Sequence, residues 1–395
     1  MRHSWKKSLA VALGGLLLAG CATVEVTRPA PTPGDVPQDV VAHRDHWQFD
    51  AGSRPAAERD GYRPPTKLAV LLPLTGSLAT AAAPVRDGLL AGYYGESRRR
   101  PELQFYDTAG TAGGAVAAYA RAVAEGAEQV VGPLGRDEVD AVFRQTQPEV
   151  PVVALNRPEA PPPRNSASYA LAPEDEGLAA ADYLAARNAL RVLVLSSGDD
   201  NARRSIGAFQ ARLQAIGGSI VQTFAVVGEA PADMTALLQG AAQREGGIDA
   251  VFLAVRGPQA RLVAPQLSAA GLAGKPRVAT SQLVSGTGKA AEDSALDGIA
   301  FPTDAWSAGG VPGLPAAAAT GSRLPTARGP AARLFAFGYD AWLISAYLDR
   351  LATADGRIQG AGGTLRIDDD GHVRRAPAWS TFSSGYVVPL AGSGG

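Results

Sequence analysis

From Lys67 onward, short apolar runs alternate with longer stretches whose apolar residues recur at helical spacing. KLAVLLPL (67–74) reads as a buried strand, 82–96 as a helix, LQFYD (103–107) as a second strand and 113–126 as an Ala-rich helix. QVVGPLG (129–135) reads as a third strand with its turn, 137–145 as a helix and VPVVALN (150–156) as a fourth strand. A second series follows, with helices over 178–189, 203–216, 234–244 and 259–270. Its strands are RVLVLSS (191–197), SIVQTFAV (219–226), IDAVFLAV (248–255) and RVATS (277–281). Strands that are apolar throughout, separated by helices, predict βαβ crossovers and parallel sheets covered on both faces. Two series predict an α/β protein of two lobes, with the cleft between them as the default binding site.

In open α/β sheets ligands sit outside the carboxyl ends of the strands. Three turns fall there in the first series: Pro73 to Ser77, which includes Thr75, Gly76 and Ser77; Gly132-Pro133-Leu134-Gly135, followed by Arg136; and Asn156-Arg157. Their hydroxyls and backbone amides could hold an anion or a peptide-like group. The alternative is that Pro and Gly shape tight turns while Thr75 or Ser77 caps the next helix.

Toward the C-terminus, Phe335, Phe337, Tyr339, Trp342 and Tyr347 form a dense aromatic helix, mostly at core spacing. Tyr339 and Asp340 are candidates to face the cleft instead. Residues 306–330, rich in Gly, Pro and Ala, read as a surface excursion. Asp368-Asp369-Asp370-Gly371, flanked by alternating segments, reads as the turn of a β-hairpin; an EF-hand loop would need its glycine later and a closing acid.

The first residues follow a different logic. Arg2, Lys6 and Lys7 precede an apolar stretch, Leu9 to Leu18, too short to span a bilayer, so 1–20 reads as an export signal. It ends in Leu18-Ala19-Gly20-Cys21, which resembles the bacterial lipobox, with Cys21 as the lipid-modified N-terminus; by the same resemblance Ala22 favours outer-membrane sorting. Cys21 is the only cysteine, which excludes an intramolecular disulfide and a Cys-based metal site. Ala22 to Pro65 contain seven prolines and no sustained period, so 21–65 reads as a disordered tether, roughly 150 Å long when stretched. Trp47 and Phe49 are its one candidate docking segment.

Charge and composition then exclude function classes. A net charge of -1 argues against nucleic-acid binding. The histidines are His3, His43, His46 and His372, so neither a Ser/His/Asp set nor a His metal cluster fits the core, and neither catalytic residues nor a cofactor is expected. Ser285 to Lys289 imitates the end of a P-loop, but Leu283 stands where the first glycine is required and Ala290 follows the lysine.

The segments LLPLTGSLATAAAPVRDGLLAGYY (71–94), VVGPLGRDEV (130–139), PVVALNRPE (151–159), ARLFAFGYDAWLI (332–344) and GGTLRIDDDGHVRRAPAWSTFSSG (362–385) resemble the C-terminal domain of the LppC/LpoA lipoproteins, the penicillin-binding-protein activators. The resemblance implies a periplasmic-binding-protein type I fold over 66–390, two Rossmann-like lobes joined by three crossings. Lobe 1 is then about 66–172 plus 304–353, and lobe 2 about 173–303 plus 354–390. It also implies a non-catalytic lipoprotein on the periplasmic face of the outer membrane. Such a protein binds and activates a class A penicillin-binding protein and so regulates peptidoglycan synthesis. The best-studied family members carry a helical TPR-like domain before this one, for which the tether is too short and too proline-rich. The competing expectation is a periplasmic solute receptor for an ABC transporter, with an amino acid or peptide-like ligand. Amino-acid-binding relatives offer hydroxyls from the loop after the third strand, whereas Gly132 to Arg136 contain no Ser or Thr. That leaves Arg136 and Asn156 as ligands for some other polar group.

Overall fold

The computed structural model describes residues 43–48, 54–229, 231–284 and 289–390. The export signal, Cys21, Phe49 and Ser285 to Gly288 lie outside the described residues.

Strand β1 (Lys67–Leu72), helix α1 (Ala79–Gly95), β2 (Glu102–Asp107), α2 (Ala112–Ala124), β3 (Gln129–Val131), α3 (Arg136–Thr146), β4 (Val152–Ala154) and β5 (Ala167–Tyr169) form the first series. The second runs α4 (Pro173–Ala185), β6 (Arg191–Ser196), α5 (Asp200–Ala215), β7 (Ser219–Ala225), α6 (Thr235–Ala242), β8 (Ala250–Ala254), α7 (Gly257–Ala269), β9 (Arg277–Ala279), α8 (Ala290–Asp293) and β10 (Ile299–Thr303). The chain closes with α9 (Ala305–Gly309), α10 (Ala317–Arg323), α11 (Ala331–Ala346), α12 (Leu348–Leu351) and strands β11 (Ile358–Gln359), β12 (Thr364–Ile367), β13 (His372–Ala376), β14 (Ala378–Ser383) and β15 (Tyr386–Pro389). No helix among the described residues is long and apolar enough to cross a membrane.

Two sheets result. One has the order β11-β12-β13-β5-β4-β3-β1-β2, the other β15-β14-β10-β9-β8-β6-β7. Within each, five successive parallel strands repeat one doubly wound arrangement, whose order reverses between β1 and β3 in the first and between β6 and β8 in the second. Every residue of β3, β4 and β8 is buried, as strands covered on both faces require.

Neighbouring helices pack on one another through glycine contacts. Gly88 of α1 faces Gly338 of α11 so closely that a Cβ on Gly338 would lie 1.9 Å from the Val85 carbonyl oxygen. Gly177 of α4 meets the Ser205 backbone of α5 in the same way, at 2.0 Å. Helix α11 is buried nearly all round. Phe337, Ala341, Trp342 and Ile344 enter the core of the first sheet, while Phe335 and Tyr339 pack with Trp306, Leu314 and Ala327 on its other side. Residues 306–330 lie mostly at the surface, as expected, but the segment is ordered and anchored: Trp306 is buried and donates its indole N–H to the Pro315 carbonyl at 2.7 Å.

Two expected boundaries need correction. Residues 354–390 do not all belong with the second lobe. Strands β11 to β13 extend the first sheet, because β13 pairs in parallel with β5 (His372 with Ser168, Val373 with Tyr169) and Leu365, Ile367 and Val373 join that core. Only β14 and β15 join the second sheet, and the crossing falls at Pro377. The described part of the segment read as a disordered tether, 21–65, is folded onto the first lobe. Trp47 and Tyr62 are buried in the first core, His43 bridges Thr353, Arg54 pairs with Glu128 at 3.1 Å and Arg63 with Asp349 at 2.8 Å. Proline content hid this anchoring, which depends on partners 74 to 310 residues away.

Candidate functional site

Adjacent parallel strands β1, β3 and β4 bring the three turns to one edge of the first sheet. The loop after β1 is held by Asp107, at the end of β2. Its carboxylate accepts the Leu74 and Thr75 amides at 2.9 and 3.2 Å and the Thr75 hydroxyl at 2.6 Å. Those bonds, the Thr75 hydroxyl first, keep Asp107 below the ordinary aspartate range. Gly76 has φ +83°, and a Cβ there would lie 2.6 Å from the Ala109 carbonyl oxygen. Ser77 is exposed and does not cap α1, whose N-cap is Leu78.

The loop after β3 is equally committed. Gly132 has φ +100°, where a Cβ would meet the Leu71 carbonyl oxygen at 2.1 Å, so only glycine lets the turn pass the end of β1. Pro133, which follows through a cis peptide bond, is buried. Asn156 ties this loop to the next: its amide donates to the Leu134 carbonyl at 3.0 Å, and its oxygen accepts the Arg157 N–H at 2.9 Å. Arg136 is exposed and has no side-chain partner among the described residues. Glu138, a buried carboxyl raised by desolvation, accepts the Gly135 amide at 2.6 Å at the start of α3.

Opposite these turns stand groups from the second sheet. Glu176 of α4 accepts the Ser281 amide at 2.8 Å and the Ser281 hydroxyl at 2.7 Å. Arg333 of α11 donates to both Glu176 and the Ser281 hydroxyl, joining the two lobes. Beside this bridge Arg157 pairs with Asp175 at 3.2 Å, and Arg374 reaches the same carboxylate at 3.0 Å. The cavity lined by Pro173, Glu176, Asn201, Thr280, Ser281 and Arg333 is only about 90 Å³. Pockets that enclose a ligand measure roughly 300–1,000 Å³.

Burial alone would raise Glu176, but the Arg333 guanidinium and the Ser281 donors bring it below the usual glutamate value. A depressed carboxyl contributes stability above its unfolded pKa, near 4.5, that is lost as pH falls through the lower native value. Glu176→Gln is expected to cost about 1–2 kcal/mol at neutral pH and to flatten the acid side of the stability profile. Urea unfolding at neutral and acidic pH measures both. An unchanged acid slope would show that this bridge does not titrate.

Tyr339 and Asp340 require correction as cleft residues. Asp340 is fully buried and accepts the Tyr169 hydroxyl at 2.8 Å, the Gly362 amide at 2.9 Å and the Ala361 amide. It clamps the return strands onto α11. Tyr339 turns away from the interlobe face into a separate cavity beside Gly313 and Trp342. The sequence reading also missed Asp107, Glu176, Ser281 and Arg333. Asp107 ends a recognisable strand, which marks its position, whereas the other three meet only through the fold.

The Asp-Gly hairpin forms between β12 and β13, with Gly371 at φ +82°. The Asp368 carboxylate is spent on the Asp370 and His372 amides and on Arg374.

Comparison with known proteins fits this architecture. Solved structures superpose over both lobes. The LpoA (YraM) C-domain of Haemophilus influenzae, described as a regulator of PBP1A, gives a TM-score of 0.70 at 22% identity and covers 82% of this chain and 100% of its own. A structure from Chromobacterium violaceum, described as a candidate branched-chain amino acid ABC transporter, gives 0.64 at 28% identity over 80% of this chain and all of its own. The fold is thus that of the type I periplasmic binding proteins. Among curated relatives, the penicillin-binding protein activator LpoA of Photobacterium profundum is 27% identical over 355 residues, 82% of this chain and 57% of its own length. That of Klebsiella pneumoniae is 27% identical over 320 residues, 73% of this chain and 45% of its own. The chain spans about half the length of the curated relatives it matches. The model of the LppC family of candidate lipoproteins matches residues 61–385, from the segment anchored by Tyr62 to the turn before β15, and the chain therefore belongs to the LppC family.

Proposed function

We propose that this protein is a non-catalytic activator of a class A penicillin-binding protein, anchored through lipidated Cys21 to the periplasmic face of the outer membrane. The reading is carried by one observation: the LppC match runs through both lobes, and the curated relatives so matched are named penicillin-binding protein activators. The site geometry is compatible with it. Thr75 and Asn156, which a solute receptor would turn toward a ligand, are engaged within the chain, and Arg333 occupies the space between the lobes. Activation requires that the protein bind the active synthase conformation more tightly than the inactive one. Several acyl chains on Cys21 would hold the protein at the membrane, because a single chain binds only marginally.

The test is glycan polymerisation and peptide crosslinking by a purified class A synthase, with and without the full chain. Faster synthesis together with direct binding is the expected result. Unchanged rates without binding would reject the proposal. A bound amino acid released on denaturation would instead favour the solute receptor, to which the Chromobacterium structure points.

A further inference from the structure

Two cavities meet at the β11–β12 hairpin, one against α1 and α11 and the other between the hairpin's sheet and helices α4 and α5. One, of about 730 Å³, is lined by Glu96, Arg98, Tyr339, Trp342 and Tyr347. The other, of about 680 Å³, is lined by Asp175, Asp182, Arg212, Arg374 and Trp379. Gln359 and Thr364 line both, so the two cavities adjoin across the hairpin and can be read as one groove that runs over it. We propose that this groove binds an extended acidic peptide segment. The proposal stands apart from the activator reading, since it holds for any partner that carries such a segment.

Charge accounting comes first. Each groove carboxylate already has an arginine: Asp60 and Glu96 are held by Arg98 at 2.9 and 2.7 Å, Asp175 and Asp368 by Arg374 at 3.0 and 2.6 Å, and Asp182 by Arg212 at 2.6 Å. Arg357 lines one cavity and Arg366 the other. Both are exposed and have no ion pair or hydrogen bond among the described residues. Ile358 pairs with Leu365, so the register sets Arg357 opposite Arg366. Like charges directly opposite repel, and an anion lying across both reverses that term.

The second observation is a pair of donors, on largely buried side chains, that open onto these cavities. Tyr339 is 6% exposed, and its hydroxyl, beside Gly313, has no partner in the described chain. Desolvation, followed by the nearby Asp340 and Glu96, pushes that hydroxyl up to about 12, so at neutral pH it donates. Trp379 is 7% exposed, and its indole N–H is likewise unpaired. Two unpaired guanidiniums and an indole N–H, which can only donate, together with a phenol that can, favour a ligand rich in carbonyls and carboxylates.

An acidic glycan fits less well. Sugar hydroxyls must also donate, and the rings of Trp342 and Trp379 are too buried to offer a stacking face. A peptide also finds β11, the terminal strand of its sheet, with its outer main-chain groups unpaired by any strand.

Fluorescence anisotropy tests this with the full chain in detergent and a labelled peptide of alternating Glu and Ala. A Lys/Ala peptide and an oligogalacturonate serve as competitors. Expected results are binding of the acidic peptide that weakens with salt, a loss of at least about tenfold in Arg357→Glu/Arg366→Glu, and a loss of about threefold in Tyr339→Phe. Failure of the acidic peptide to bind at low salt, equal binding by the charge-reversed pair, or preference for the oligogalacturonate would overturn it. Melting curves of Arg357→Gln/Arg366→Gln separate binding from structure. The neutralised pair should melt at or above the wild-type temperature, and a lower melting temperature accompanying lost binding would make the arginines structural and overturn the proposal.

Discussion

Asp340→Ala is expected to lower the unfolding free energy by about 3–5 kcal/mol at pH 8. The carboxylate has no exposure and accepts three donors from two elements: the Tyr169 hydroxyl of β5 and the amides of Ala361 and Gly362 in the β11–β12 turn. Alanine would leave those donors buried without a partner, and the methyl could not fill the space against Gly360 and Gly362, where a Cβ would lie 2.4 and 2.7 Å from the carboxylate oxygens. Local effects should concentrate in β11 to β13, because the clamp joins their turn to α11. Urea unfolding, with amide exchange over 358–376, provides both readouts. A loss below about 1 kcal/mol would mean that the turn finds other acceptors.

The same group sets a pH dependence. Burial pushes Asp340 up to about 7, while the Tyr169 hydroxyl and the two amides pull the other way. Between the unfolded value of 3.8 and the native value of about 7, the folded chain holds a proton that the unfolded chain has released. The extra stability from that bound proton is therefore fully present below pH 4 and lost as pH rises through 7, whereas the hydrogen bonds the carboxyl accepts remain. Asp340→Asn should remove that decline, so the stability difference between wild type and variant must change between pH 5 and pH 8. A constant difference would show that the carboxyl does not titrate in this window.

Gly338→Ala is expected to cost about 1–3 kcal/mol. A methyl at that position would lie 1.9 Å from the Val85 carbonyl oxygen, and the obstacle is backbone, which no rotamer change can move. Helices α1 and α11 must separate, loosening the contacts of Val85 and Leu89 with Phe337, Ala341 and Trp342. Alanine's better helix propensity returns only about 1 kcal/mol. Gly207→Ala is the control: it sits in α5 with nothing within 4 Å of a Cβ, so it should stabilise by about 0.5–1 kcal/mol. Thermal and urea unfolding of both variants test the contrast. If both changed stability in the same direction, helix propensity rather than interhelix distance would govern these positions.

Much of the candidate site was legible because turn chemistry is local. Gly76 and Gly132 mark positive-φ turns at strand ends, and Thr75 and Asn156 stand beside them. Their partners were not legible. Asp107 joins the Thr75 loop only because β2 lies beside β1, and Arg333 meets Glu176 across 157 residues of sequence. The assignment of Tyr339 and Asp340 to the cleft failed for a related reason. Spacing on α11 names a face, but this helix is buried on nearly every face, so periodicity could not say which neighbour each side chain met.

By itself the sequence determined the alternation of strands and helices, the two doubly wound series, the Asp-Gly hairpin and the resemblance to the LppC family, because apolar period and turn residues act over a few positions. Only the tertiary structure decided that β11 to β13 complete the first sheet, that Trp47 and Tyr62 anchor a proline-rich segment, and that Arg357 stands opposite Arg366 in the β11–β12 hairpin. Each of those depends on pairing between distant segments, where the free energy comes from burial and hydrogen bonds that no local pattern encodes.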